Sequence, residues 1–366
     1  MTNLPSKKEQ LFQLIRGNPS ISQQELADQL QLSRSAVAGH IASLIRDKRI
    51  LGRAYVLPDV RPVICIGGAN IDRKLRTLAP LQMGTSNPVS QHEAQGGVAR
   101  NIAENLARLG RPVKLLCAVG DDASGQSLLS QAEAVGIDTK ASLQIAGSCS
   151  GSYTALLDDK GEMLVALAHM ELCDAMTPDY LRSRQFQRGN AVLSIADLNL
   201  PLASVQLLVQ EAREQQTILV IVAVSKPKMA RLPVNLHGLR LLILNLDELE
   251  QRAGKALDGS VHIAQACLEL QNQGVLDVIV TMGAGGVFYT DSKRQNGLLH
   301  MAAPTVAITD VTGAGDAFAA GVCWSLYDSA DNLELACQRG LRLAALTLQS
   351  DATVYPGLTQ SLFLEE

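Results

Sequence analysis

The chain has no apolar run of the roughly 18 residues that a membrane-spanning helix requires. Its opening, MTNLPSKKEQ, lacks the apolar core of a secretory signal. A cytoplasmic protein is therefore expected, with no membrane partner. Cysteines are few, scattered and odd in number: Cys65, Cys117, Cys149, Cys173, Cys267, Cys323 and Cys337. No two stand as Cys-x-x-Cys, and several sit in apolar runs, so reduced core thiols are expected instead of a disulfide frame or a zinc site. Two phosphate fingerprints are also missing. There is no GxxxxGK[ST], which excludes a P-loop, and no GxGxxG after the first strand, which excludes the dinucleotide turn. Disorder is excluded by 47% hydrophobic against 19% charged residues.

At 366 residues the chain is long for one domain and short for three. Charge divides it. Residues 1–57 hold eight Lys/Arg against four Asp/Glu, a net of +4, while the whole chain carries −4, so residues 58–366 carry −8. A small basic head on a larger acidic body implies two kinds of partner.

The head is periodic. Leu11, Leu14 and Ile15 share one face of a first helix, which Gly17 and Pro19 end. Ser22 and Glu25 form a capping box ahead of QQELADQL. After a short turn at Gln31-Leu32, Ser33 caps a third helix whose apolar stripe is Val37, Ile41, Leu44 and Ile45. ILGRAYVL then reads as a hairpin arm with Gly52-Arg53 at its tip. Three helices, a tight turn and an arm make a winged helix-turn-helix, and its third helix is the natural major-groove reader. Arg34, Ser35 and His40 on that helix and Arg53 on the arm are the candidate DNA contacts, with Lys48, Arg49 and Arg53 placed to neutralise phosphates. A helical docking or dimerisation module is the competing reading.

Pro58–Pro62 is read as a short linker, and the body as 63–366. Short apolar runs (VICIG, VKLLCAV, AVLSIAD, ILVIVAV, LRLLILN, LDVIVTM) alternate with helical stretches. This predicts an α/β domain with a mostly parallel sheet buried on both faces. Such sheets bind ligands at the carboxyl ends of their strands. Gly151–Leu157 and Met163–Ala168 flank the turn signal Asp158-Asp159-Lys160-Gly161, a hairpin (about 151–168) outside the parallel pattern and a candidate lid. Gly313-Ala314-Gly315 opens a strongly amphipathic helix, and backbone amides at such a start bind anions. Asp316 follows directly. By spacing alone it is either a base that accepts a hydroxyl proton or an acid that caps the helix.

DVTGAGDAFAAG (310–321) resembles the C-terminal signature of the ribokinase-like, or PfkB, carbohydrate kinase family. GGANID, GGVARN, VGDDASG, NLDE and TMGAGG resemble other family segments and occur in the family's order, so the resemblance covers about 62–366. It implies a ribokinase-like, doubly wound fold with a small β lid, and an ATP-dependent kinase acting on a sugar or nucleoside hydroxyl. Carried over residue by residue, it makes Asp316 the general base and Gly313, Ala314 and Gly315 the anion hole. Gly68, Asn70, Asp72, Gly96, Gly97 and Asn101 fall on the sugar-binding positions. Asn245, Thr281, Gly283 and Gly286 fall on ATP-binding positions. Asn245 and Glu248 hold Mg2+ through water, and Asp310 with Thr312 resembles a monovalent-cation (K+) site. Lid-to-lid homodimers are also implied.

Two positions depart from the family pattern. Val222-Ala223 stands where an Asp-Pro is expected, and Asp351 stands where a Gly is expected. The second change weakens the case for dependence on a monovalent cation. The winged head together with Arg73, Lys74 and Arg100 resembles the nucleoside branch that includes pseudouridine kinases, which makes the 5′-hydroxyl of pseudouridine or another nucleoside the expected acceptor. The competing function is a transcriptional regulator that uses the kinase fold as a ligand sensor.

Overall fold

The structure is a computed structural model that describes residues 6–17, 21–47, 49–50, 61–293, 297–329 and 331–364. Contacts divide the chain into two units, Met1–Val60 and Arg61–Glu366.

In the first unit, helices α1 (Lys7–Gly17), α2 (Gln23–Leu30) and α3 (Arg34–Arg46) close on Leu11, Leu26, Ala27, Leu30, Val37, Ile41 and Leu44. Local chemistry sets the helix starts. Ser22 and Glu25 form the reciprocal box, and the Ser33 hydroxyl accepts from the Ala36 amide at 3.2 Å. Gln31, left-handed at φ 54°, makes the tight turn between α2 and α3. Arg34 and Ser35 are exposed at the start of α3 and His40 is half-buried. Arg49 is already committed. It pairs with Glu9 at 2.7 and 3.0 Å and lies over the Phe12 ring, so its charge is less available to a phosphate than the sequence suggested. Lys48, Arg53, the arm residues 51–57 and linker residues 58–60 lie outside the described residues.

The second unit is an α/β domain. Its strands are β1 (Val63–Ile66), β2 (Asn70–Thr77), β3 (Val89–Gly96), β4 (Val113–Leu116), β5 (Ala118–Gly120), β6 (Leu143–Ile145), β7 (Gly151–Leu157), β8 (Met163–His169), β9 (Leu193–Asp197), β10 (Ile218–Val222), β11 (Leu241–Asn245), β12 (Asp277–Thr281), β13 (Val287–Thr290) and β14 (Leu298–Met301). Its helices are α4 (Val98–Arg108), α5 (Ala123–Ala134), α6 (Pro178–Ser183), α7 (Gln185–Arg188), α8 (Leu202–Gln215), α9 (Leu246–Ala253), α10 (Gly259–Asn272), α11 (Ala314–Asp328), α12 (Leu333–Leu348) and α13 (Gln360–Leu364).

The main sheet runs β14-β13-β12-β11-β10-β9-β1-β4, parallel from β12 to β4 with antiparallel β13 and β14 at one edge. Alternation along each strand sorts side chains to two cores. Val63 and Cys65, with Leu241 and Ile243, meet α4, α11 and α12 on one face. Ile64 and Ile66, with Leu242 and Leu244, meet α8, α9 and α10 on the other. Six predicted apolar runs supply the six parallel strands.

Three details differ from expectation. The hairpin of β7 and β8 belongs to a four-stranded sheet, β3-β2-β7-β8, whose other two strands flank the GGANID and GGVARN segments. Arg61 and Pro62, read as linker, are tied into the body. The Arg61 carbonyl accepts from the Tyr327 hydroxyl at 2.8 Å, and the Pro62 carbonyl accepts from the Val192 amide at 3.0 Å. Among the cysteines, Cys149 is exposed while the other six are buried, and all are free. No helix among the described residues is long and apolar enough to cross a membrane.

Candidate active site

From β1 the chain steps to β4 on one side of the sheet and to β9, then β10, on the other. The carboxyl ends of β1 and β9 therefore border the switch point, where an α/β sheet opens a crevice. Asp197 ends β9 in that crevice, 1% exposed. Its carboxylate accepts from the amides of Gly68 (2.8 Å), Ala99 (2.9 Å) and Asn199 (2.8 Å). One buried acid thus pins the loop after β1, the start of α4 and the end of β9, and it puts negative charge at a helix N-terminus. Burial raises its pKa, and those amide bonds oppose the rise. Gly97 begins α4 at φ 100°, and a Cβ there would lie 2.4 Å from the Gly68 carbonyl oxygen, so the backbones of the two sugar-motif segments touch. The Gly68 amide is used by Asp197 and is closed to a ligand.

The sugar-motif side chains form two hydrogen-bonded groups. Asn70, 4% exposed, donates to Asp72 at 2.5 Å. Asp72 lies against Gly96, which has no room for a side chain, and burial raises its carboxyl. Asn101 donates to Asp316 at 2.7 Å and accepts from Arg100 at 3.0 Å. Arg100 is itself held by Gln95 and by a buried pair with Glu104.

Asp316 is the most perturbed carboxylate of these groups. Its pKa is pushed up to about 7: burial raises it most, the Asn101 bond pulls it down, and the charges of Asp197 and Asp72 add to the rise. A carboxylate at that value is poised to exchange a proton at neutral pH. The start of α11 beside it is open. Gly313 sits left-handed at φ 82° with no side-chain cap, its Cα against the Thr353 carbonyl, and Gly315 faces empty space. Uncapped amides next to a base can hold an anion while a hydroxyl is deprotonated.

The nucleotide-motif residues meet through sheet register. Asn245 and Thr281 are paired at the ends of β11 and β12. Gly283 (φ 55°) and Gly286 (φ 83°) form the tight turn that leads into β13. Asn245 and Glu248, however, cap α9 reciprocally: Glu248 Oε2 accepts from the Asn245 amide at 2.8 Å, and Asn245 Oδ1 accepts from the Glu248 amide at 2.9 Å. Glu248 is buried and its carboxyl is raised by that burial. This fits a water-mediated hold on a metal better than direct ligation.

Asp310 and Thr312 depart from the cation-site expectation. The Lys74 ammonium, reaching over from β2, pairs with Asp310 and donates to Thr312 Oγ1 at 3.1 Å. Asp197 was missed in the sequence, where a single acid at a strand end carries no spacing signal. So was Asn199, whose buried Nδ2 lies at Gly68 with no hydrogen-bond partner among the described residues.

A parallel sheet with a crevice at its switch point, a glycine-rich helix start without a side-chain cap and an adjacent buried carboxylate define a ribokinase-like small-molecule kinase. Comparison with known proteins agrees. The pfkB family carbohydrate kinase profile matches residues 61–360, and a winged helix-turn-helix DNA-binding profile matches residues 6–50. The chain belongs to the pfkB carbohydrate kinase family, as an ATP-dependent kinase carrying an N-terminal winged helix-turn-helix domain. It is 32% identical to the "Uncharacterized sugar kinase YeiI" of Escherichia coli over 88% of each chain. It is 35% identical to the Escherichia coli "Pseudouridine kinase" over 72% of this chain and 83% of that one. Among solved structures, a carbohydrate kinase from Agrobacterium tumefaciens matches with a TM-score of 0.70 at 28% identity, covering 83% of this chain and 96% of that one. Arabidopsis thaliana ribokinase complexed with ribose and ATP shares the fold, with a TM-score of 0.72 at 17% identity over 83% and 98%.

Proposed function

We propose that this kinase transfers the γ-phosphoryl group of ATP to the 5′-hydroxyl of a nucleoside, with pseudouridine the first candidate, and that Asp316 removes the hydroxyl proton. The Asn101-held carboxylate beside the uncapped start of α11 carries this reading. The likeness to a pseudouridine kinase, with the "Guanosine-inosine kinase" of Exiguobacterium acetylicum as a more distant relative, favours a nucleoside over a free sugar. Asn70, Asp72 and Asn101 supply the donors and acceptors that ribose hydroxyls need, since each unpaired polar group in a closed site is costly. The amides of Gly313 and Gly315 receive the phosphoryl oxygens, and the Ala314 amide joins them by giving up its 3.3 Å bond to the Val311 carbonyl. Thr281 and the Gly283–Gly286 turn hold the nucleotide. Mg2+ carried with ATP would supply positive charge to the phosphates, and Glu248 with Asn245 would hold it through water.

The head is proposed to bind DNA through the start of α3, where Arg34 and Ser35 are exposed. A homodimer through the four-stranded sheet is supported by exposed Met163, Leu164, Val165 and Leu167 on β8. Two-fold symmetry would match a palindromic operator.

The test is ADP release with Mg-ATP across pseudouridine, uridine, inosine, adenosine, ribose, fructose and fructose 1-phosphate, with Asp316→Asn as blank. Turnover on a nucleoside that vanishes in the variant supports the reading. Turnover on a sugar alone replaces the substrate. Ligand-induced thermal shifts without turnover favour the sensor-regulator. For the head, a gel shift must weaken as salt rises, because phosphate contacts release counterions.

A further inference from the structure

The loop before α11 contains a ready-made cation seat. Asp310 Oδ1 accepts from its own turn, from the Thr312 amide at 2.9 Å and the Thr312 hydroxyl at 2.7 Å. Asp310 Oδ2 faces Lys74, whose ammonium also reaches Thr312 Oγ1 at 3.1 Å. Both carboxylate oxygens and the hydroxyl are therefore engaged, and a free monovalent ion at this place would have to displace the ammonium. An ammonium group carries the charge of a potassium ion in nearly the same radius, and on a lysine it is a compact point charge on a flexible stem. The stem comes from β2, in the four-stranded sheet, 236 positions away in the chain. The side chains of Lys74 and Asp310 are 31% and 20% exposed, so the pair is only partly hydrated.

We propose that Lys74 is the built-in monovalent cation of this kinase: its ammonium occupies the seat at Asp310 and Thr312, so that turnover needs no added K+. Lys74 is a positioning residue. It balances Asp310, which otherwise would set a bare negative charge three residues from the anion-holding Gly313. It also ties the four-stranded sheet to the glycine-rich turn. Asp310 remains ionised at neutral pH. Partial burial raises its pKa, but the Lys74 and Thr312 bonds outweigh burial and hold it below the ordinary carboxylate value. The proposal rests on the kinase reading for its activity arm only.

The test compares the full-length protein in KCl and in tetramethylammonium chloride at equal ionic strength. Wild type is expected to turn over equally in both, with the same thermal midpoint. Lys74→Met keeps the apolar stem and removes the charge. It should lose about tenfold or more of kcat/KM in tetramethylammonium, consistent with one lost electrostatic contact near a transferring group. KCl or NH4Cl should restore most of that loss and raise the midpoint of Lys74→Met only. Severalfold activation of wild type by K+ overturns the proposal. So does a Lys74→Met defect that neither K+ nor NH4+ relieves, which would put Lys74 on the substrate or phosphate instead. If wild type turns over nothing, the kinase reading fails separately, and the K+-specific thermal shift of Lys74→Met still decides the seat: its presence supports the proposal and its absence overturns it.

Discussion

The starts of α9 and α11 both carry family motifs, and they are built in opposite ways. α9 begins on Asn245 and Glu248, which satisfy each other's amides and close the helix on itself. α11 begins on Gly313, left-handed and without a side-chain cap; the Ala314 amide turns back to the Val311 carbonyl at 3.3 Å, and no side chain consumes the others. A residue motif at a helix start therefore does not by itself make an anion site. What matters is whether the side chains consume the orphan amides or leave them open. At α9 the polar residues serve the fold, each closing the other's amide. At α11 the glycines make no such cap, and the fold is held from elsewhere, by the Thr353 carbonyl against Gly313 and by Asn101 on Asp316.

Substitutions can separate these roles. The largest effect is expected at Asp316→Asn, which removes the base and keeps an acceptor for Asn101. Turnover should fall by about 10²–10⁴-fold, while calorimetry still detects ATP and substrate. Gly315→Ala comes next. Nothing lies within 4 Å of the added methyl, so the thermal midpoint should hold while kcat falls, because the methyl enters the anion seat. Gly313→Ala should lower both stability and kcat. A Cβ there would lie 2.0 Å from the Thr353 carbonyl oxygen at φ 82°, and denaturant unfolding should show a loss of about 1–3 kcal/mol. Asn245→Ala should cost about 1 kcal/mol of stability through the lost cap, raise KM for Mg-ATP and leave kcat nearly intact. If Asn245→Ala lost kcat as deeply as Gly315→Ala, the contrast between the two helix starts would fail. Arg34→Ala should leave kinase activity unchanged and weaken only DNA retention in a gel shift.

The sequence was most legible where burial dictates composition. The six parallel strands are continuous Val/Ile/Leu runs because both of their faces are covered. The caps at Ser22 and Ser33 and the glycines of the α11 start announce themselves by local chemistry. NIDRKLRT and VSQHEAQG did not read as strands. β3 is mostly exposed and β2 is polar along much of its length, so no apolar pattern marks them. Long-range partnerships were also invisible. Asp197 bonds to residues 98 and 129 positions away, and Lys74 meets Asp310 across most of the chain. In the sequence, Lys74 points only to a class of substrate. In the structure its ammonium pairs with Asp310 and donates to Thr312.

Asp316, proposed as the base, has its pKa pushed up to about 7. Its pKa is raised in the fold, and only the deprotonated form can accept a hydroxyl proton, so activity must rise with pH through that value. The pH dependence of kcat/KM for wild type reads the free enzyme directly. A rise to half-maximum near pH 7, absent from the residual activity of Asp316→Asn, is the predicted result. A profile that stays flat into the ordinary carboxylate range, or one that Asp316→Asn leaves unchanged, would contradict the account.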